Sequence, residues 1–264
     1  MAVAATGWQM VDEGWGRRAA DFATLTEPSS VREYLAVHRR LDLAAGERLL
    51  DMACGAGLAL ELAAIQGAVC SGIDASRRLV DVARLRNPGA DLRVGDMAEP
   101  HFEAGSFDVV TSFRGIWGTT PAAMTQVARV LRPGGRAALT FWGDMATSPG
   151  GTLFSPFRLA SEPNLAHQSE MVGLKQPGAA AQFLTDAGLL PGEVFGVPCF
   201  LEFADAEHYA RALASTGPGF EAVQVAGEQA FHDACLRAAE PFDRTGLPIR
   251  AELTLFGIIG HAPD

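Results

Sequence analysis

Between residues 31 and 143 five short apolar runs alternate with helical patterns, and few folds accept that rhythm. Strand-helix units in series pack as a parallel sheet covered by helices, because each crossover must carry the chain back to the edge where its strands begin. The periods predict a helix at 31–41, a strand at 48–54, a glycine turn at 55–57 and a helix at 58–66. A strand at 68–75 and a helix at 76–86 capped by Ser76 follow, then strands at 91–97, 107–113 and 136–142. A helix at 121–131 and a turn at Arg132–Gly135 precede the last strand. Right-handed crossovers align the loops after the strands along one edge, where such sheets bind ligands.

After Gly143 the rhythm breaks. Residues 144–176 carry Pro, Gly, Ser and scattered aromatics, a length of irregular chain that marks a lid or a mobile insertion. A helix at 179–187, long strands at 193–204 and 250–261, and helical patterns at 205–215 and 221–240 complete the chain. Nothing divides it into independent units, so one domain, 1–264, is expected. Its parts are an N-terminal lid segment at 1–30, a binding core at 31–143, cap insertions at 144–176 and 205–249, and further sheet at 177–204 and 250–264.

Charge narrows the partners. Thirty-one acidic against 21 basic residues leave a formal charge of -10, Lys175 is the single lysine, and no arginine cluster exceeds a pair, which argues against a nucleic-acid partner. Cys54, Cys70, Cys199 and Cys235 lack ligand spacing and read as buried thiols in a reducing cytosol, so no metal site is expected. The opening residues lack a basic leader with an apolar core, and no run approaches the roughly 20 apolar residues that cross a bilayer. A cytoplasmic protein without a membrane partner is expected, with a homodimer left open.

The stretch LLDMACGAGL, Leu49 to Leu58, carries the most chemistry. Gly55 and Gly57 at a strand-to-helix turn let backbone approach a ligand closely. A dinucleotide fingerprint wants a third glycine where Leu60 stands, and Asp51, four residues before Gly55, would repel a pyrophosphate. A carboxylate there suits a cationic ligand instead. Asp74 ends the second strand, Gly95-Asp96-Met97 ends the third, and Leu131-Arg-Pro-Gly-Gly135 feeds the fifth.

These four motifs, in this order over residues 49–142, resemble the class I S-adenosylmethionine-dependent methyltransferases of small-molecule, secondary-metabolite or quinone type. The resemblance implies a Rossmann-like, doubly wound α/β fold: a mostly parallel seven-stranded sheet with an antiparallel C-terminal strand and a small helical cap. It implies S-adenosylmethionine as cofactor, leaving as S-adenosylhomocysteine. It also implies a cofactor site of Asp51, Ala53, Cys54, Gly55, Gly57, Asp74, Ala75, Asp96, Met97, Ser112 and Phe113, with Asp74 on the ribose and Asp96 on the adenine. Ala53 stands where the family commonly has glycine, which asks for an ordinary backbone conformation there. Taken singly, Asp51, Asp74 and Asp96 also read as turn or capping carboxylates.

Arg114 and Trp117, in the loop after the fourth strand, are candidates to face the acceptor; the plainer reading makes Trp117 core and Arg114 a surface charge. Trp15 in the N-terminal segment is a candidate to cover the cofactor, or part of a surface helix. Methyl transfer is mainly a positioning task, and a hydroxyl acceptor also wants a base. His167 and His208 are the candidate bases, while His38 and His232 read as polar surface positions. Phenylalanines at 154, 157, 195, 200, 203, 220 and 231 point to an apolar small-molecule acceptor if some reach the cleft. The expected activity is in-line methyl transfer to O, N or C of such an acceptor. Two alternatives are a fold relative that binds the cofactor without transfer, as a cyclase-type catalyst or binding protein, and a nicotinamide-dependent oxidoreductase.

Overall fold

The computed structural model describes residues 7–116, 120–160, 173–176 and 178–264. The expected parallel core is present: β1 (Arg48–Met52), β2 (Val69–Asp74), β3 (Asp91–Val94), β4 (Phe107–Phe113) and β5 (Leu131–Trp142) run in the spatial order β3-β2-β1-β4-β5. Neighbours along β1 and β4 alternate between the two faces of the sheet. Leu49 and Val109 enter one apolar cluster, Leu50 and Val110 the other, and helices cover both. The order reverses between β1 and β4, so a crevice opens beyond their carboxyl ends.

Beyond β5, β10 (Leu255–His261) pairs antiparallel, and β6 (Leu190–Pro191) and β7 (Phe195–Val197) share its far side. These two short strands together occupy the seventh position. The two long strands expected at 193–204 and 250–261 are instead each broken. Pro198, which has no N–H for a ladder, separates β7 from β8 (Phe200–Phe203), and Leu253-Thr254 separates β9 (Ile249–Glu252) from β10. β8 and β9 form a small antiparallel ladder of their own, from Phe200 opposite Glu252 to Phe203 opposite Ile249. The expected turn at Arg132–Gly135 lies inside β5 as an irregularity: Phe107 pairs with Leu131, but Val109 already pairs with Arg136.

The helices are α1 (Val11–Gly14), α2 (Ala19–Asp21), α3 (Val31–Arg40), α4 (Leu58–Ile65), α5 (Arg77–Arg86), α6 (Pro121–Val130), α7 (Ala179–Asp186), α8 (Ala206–Leu213), α9 (Gly217–Ala226) and α10 (Glu228–Ala239). Ser76 caps α5 as expected, its side chain accepting the Leu79 N–H. The helix expected at 221–240 is two, because Gly227 at φ +85° turns the chain between α9 and α10. Those helices, α8, the 3-10 turns at Gly151–Leu159 and the β8-β9 ladder make up the cap.

His38 corrects an expectation. It lies on the inward face of α3 with Glu33, Tyr34 and Val37, fully buried, its ring edge-on to Phe113. Gln66 donates to Nδ1 at 3.1 Å, so the ring proton sits on Nε2, which has no partner among the described residues. Burial without a counter-charge lowers its pKa from 6.5 to about 4. A depressed value means that the folded protein resists protonation. Stability associated with His38 is therefore complete above pH 6.5 and is lost as pH falls through about 4, by at most roughly 3 kcal/mol. Melting temperature followed from pH 7 to 4 is expected to fall less steeply in His38→Leu than in the wild type; parallel curves would contradict this.

Candidate functional site

β1 ends where the chain turns sharply, and three residues in the next five take positive φ: Ala53 at +62°, Gly55 at +55° and Gly57 at +80°. Ala53 therefore does not have the ordinary conformation expected of it. Its methyl group is tolerated because residue 115 across the crevice is glycine, and a Cβ there would overlap the Ala53 methyl. Gly57 starts α4 in the left-handed region, and a Cβ on it would come within 2.8 Å of the Ala83 methyl, so it serves close packing of α4 on α5. Asn87 Nδ2 seals that contact on the Gly57 carbonyl at 3.0 Å.

Asp51 is 2% exposed; the Thr111 hydroxyl donates to it at 2.7 Å, and burial holds its carboxyl well above the usual range. Asp74 closes β2. Its Oδ2 accepts the Gly55 N–H at 2.9 Å and its Oδ1 the Ser76 N–H at 2.8 Å, so one carboxylate ties the glycine turn to the start of α5. Burial raises its pKa too, with the two backbone donors opposing the shift. Asp96, after β3, accepts the Ala98 N–H at 2.8 Å, a local turn contact that leaves the rest of the carboxylate available.

At the end of β4, Arg114 adopts φ +58° and is held by its surroundings. Its N–H reaches Thr140 Oγ1 at 3.0 Å, its guanidinium pairs with the fully buried Glu33 and donates to Ser30, and it lies 5.0 Å from the Trp142 ring centroid. The Glu33 pairing outweighs desolvation in effect and keeps Arg114 charged, with its pKa above the ordinary value. Tyr34 stacks edge-on at 4.6 Å against Phe113, joining α3 to the same strand end.

These strand ends meet in one cavity of about 760 Å³. Of the residues singled out from sequence, its wall contains Trp15, Asp51, Ala53, Cys54, Gly55, Asp74, Ala75, Asp96, Met97, Phe113 and Arg114. Three are not brought to it. Gly57 is taken up by α5. Ser112 is turned into the sheet, donating to the Met52 carbonyl at 2.7 Å. His208 lies near the start of α8, its Nδ1 accepting the Ala204 N–H at 3.1 Å. Trp117 and His167 lie outside the described residues.

The outer half of the cavity is apolar. Trp142, Phe154, Phe157, Leu201 and Phe203 form much of it, and Glu221 of α9 is buried in the same wall. Phe231 is core, whereas Phe195, Phe200 and Phe220 carry arginine guanidinium groups on their rings. Sequence reasoning missed Glu27, Glu33, Tyr34 and Glu221, all in segments whose approach to the strand ends is set by tertiary packing. Glu27 is 3% exposed, is paired to Arg86, and has its pKa raised by burial from 4.5 to about 7. Its contribution to stability is thus present below pH 4.5 and lost as pH rises through 7, opposite in sign to that of His38.

Buried acidic side chains outnumber basic ones around the cavity. Glu27, Glu33, Asp51 and Asp74 are opposed by Arg86 and Arg114, each of which already has a carboxylate partner. Such a site favours a ligand bearing positive charge and disfavours a pyrophosphate.

Residues 50–139 match the methyltransferase domain family. The nocamycin O-methyltransferase of Saccharothrix syringae is 38% identical over 132 residues, 45% of this chain and 47% of that protein. A demethylmenaquinone methyltransferase of Corynebacterium efficiens is 32% identical over 129 residues, 48% of this chain and 55% of that protein. The chain thus spans about half the length of the curated relatives it matches. Among solved structures the [4+2]-cyclase SpnF superposes with a TM-score of 0.59 at 16% identity, covering 100% of this chain and 99% of that one, a likeness of fold.

Proposed function

Residues 50–139 match the methyltransferase domain family, and on that premise we propose that the chain transfers a methyl group from S-adenosylmethionine to an apolar small molecule. The observation that carries this reading is the buried crevice lined by acidic side chains at the carboxyl ends of β1, β2 and β4, bounded outward by aromatic walls. The residues present fit the cofactor: the left-handed turn at Gly55 opens backbone to a ligand, and the carboxylates match its ammonium and ribose donors. When bound, the cofactor supplies a methyl group on a cationic sulfur and leaves as neutral S-adenosylhomocysteine.

Asp74 would take the ribose hydroxyls with the lone pairs that Gly55 and Ser76 leave over. Asp96 and Met97 would border the adenine. Asp51 would oppose the cationic end, and a cation beside a carboxyl of raised pKa draws it toward ionisation. Trp15 and Phe22 would exclude water from above, and Phe113, Arg114 and Trp142 would border the acceptor. Holding the acceptor atom in line with the methyl group, in a dry pocket, is the main work asked of these residues.

Thermal shift is expected to rise with S-adenosylhomocysteine and not with NAD, since only NAD would place a pyrophosphate among buried acidic side chains. Calorimetry at pH 7 in buffers of different ionisation enthalpy is expected to show proton release on uptake, with Glu27 at about 7 one source. Incubation of labelled cofactor with naphthoquinol and hydroxylated polyketide acceptors tests transfer. Release of S-adenosylhomocysteine with a methylated product supports the reading; stabilisation by NAD alone overturns it. Cofactor uptake without transfer to any acceptor favours the binding-protein or cyclase alternative.

A further inference from the structure

The N-terminal segment brings to the glycine turn a carboxylate that the parallel core does not encode. Glu27 opens the 3-10 turn Glu27–Ser30, directly before α3, and is almost wholly buried. One oxygen, Oε2, is gripped by Arg86 Nη1. The same guanidinium donates to the Ala56 carbonyl at 3.1 Å and the Ala23 carbonyl at 2.7 Å, so Arg86 staples the N-terminal segment to the turn. The other oxygen, Oε1, stands over the turn. It is 3.4 Å from the Leu58 N–H and 3.6 Å from the point that a Cβ on Gly55 would occupy.

A staple needs only the Arg86 side of this carboxylate. The backbone N–H groups of Leu58 and Ala56 also donate to this carboxylate, which, with about four lone-pair sites, still retains acceptor capacity at the cavity wall. Its place over Gly55, on a different carboxylate from the Asp74 assigned to the ribose, suits the amino-acid end of a nucleoside ligand. Resting on the reading of that ligand as S-adenosylmethionine, we infer that Glu27 binds the ammonium group of the cofactor's amino-acid end. An ammonium brings three donors and no acceptor, and a buried carboxylate is its direct complement. The N-terminal segment is then part of the binding site, and the core alone holds the nucleoside more loosely by its methionine portion.

The test compares two probes by calorimetry: S-adenosylhomocysteine, and 5′-methylthioadenosine, which keeps the nucleoside and thioether but lacks the amino-acid end. Glu27→Gln is expected to weaken S-adenosylhomocysteine at least about tenfold while leaving 5′-methylthioadenosine within about twofold. Arg86→Gln breaks the same ion pair but keeps the carboxylate, and is expected to leave the ratio of the two affinities within about twofold of the wild type. Equal weakening of both probes by Glu27→Gln, an unchanged affinity for S-adenosylhomocysteine, or an equal shift of the ratio in Arg86→Gln would each overturn the inference. If Glu27→Gln does not fold, Glu27→Asp withdraws the charge by one methylene: selective weakening of S-adenosylhomocysteine supports the inference, and no change overturns it. Failure of the wild type to bind either probe overturns the functional reading itself. Wild-type binding of both with equal affinity overturns only the role of Glu27.

Discussion

Replacing Asp74 by asparagine is expected to lower affinity for S-adenosylhomocysteine by about a hundredfold or more and to reduce the melting temperature as well. Both carboxylate oxygens accept a backbone N–H, from Gly55 and Ser76, at 2.9 and 2.8 Å. An amide keeps one acceptor and turns its NH₂ toward the other donor, leaving a buried N–H unpaired, at a cost of about 1–3 kcal/mol. The turn that presents Gly55 then loses its tie to α5, and one of the two acceptor oxygens proposed to take the ribose hydroxyls is lost with it. The two losses act on the same site and so compound in the binding constant. Calorimetry and thermal denaturation of the variant check this together; retention of affinity within about threefold would remove Asp74 from the site.

The second large effect concerns a pair. Gly115→Ala is expected to destabilise the protein by about 2–4 kcal/mol, because the new Cβ would overlap the Ala53 methyl and stand 2.9 Å from Ser112 Oγ and 3.3 Å from the Met52 carbonyl. Those neighbours are the ends of β1 and β4 and have little room to move. Ala53→Gly alone is expected to be close to neutral. It relieves an alanine held at φ +62°, worth about 1–2 kcal/mol, but restores backbone freedom to the unfolded chain, worth about 0.4–1 kcal/mol. In the double variant the main overlap is gone, so a coupling of about 1–2 kcal/mol should appear in a double-mutant cycle measured by denaturant melts. Strict additivity would show that Ala53 and Gly115 do not share the space the structure assigns them.

That pair also shows how far local reasoning reaches. Ala53 in a position commonly glycine looks, along the chain, like a residue asking for ordinary backbone. The compensation lies 62 residues away at the end of another strand. The broken strands teach the same lesson: 193–204 and 250–261 each read as one apolar run, but Pro198 and the Leu253-Thr254 step let each run serve two sheets. His38 sits in a helix whose polar residues look solvent-facing until the sheet is laid against it. Ser112, by contrast, is at the predicted strand end and still misses the cavity, because side chains alternate along β4 and its hydroxyl turns toward Met52.

What the amino-acid order determined by itself was the parallel core, the placing of Asp51, Asp74 and Asp96 at successive strand ends, and the cap on α5. These depend on periods, glycines and caps that act within about ten residues of one another. Only the tertiary structure decided which oxygens of those acids remain available, why an alanine is tolerated at 53, and that Glu27, Tyr34 and Glu221 join the wall. Burial, desolvation and steric overlap are properties of atoms brought together from distant parts of the chain, and they carry no signature in the spacing of residues along it.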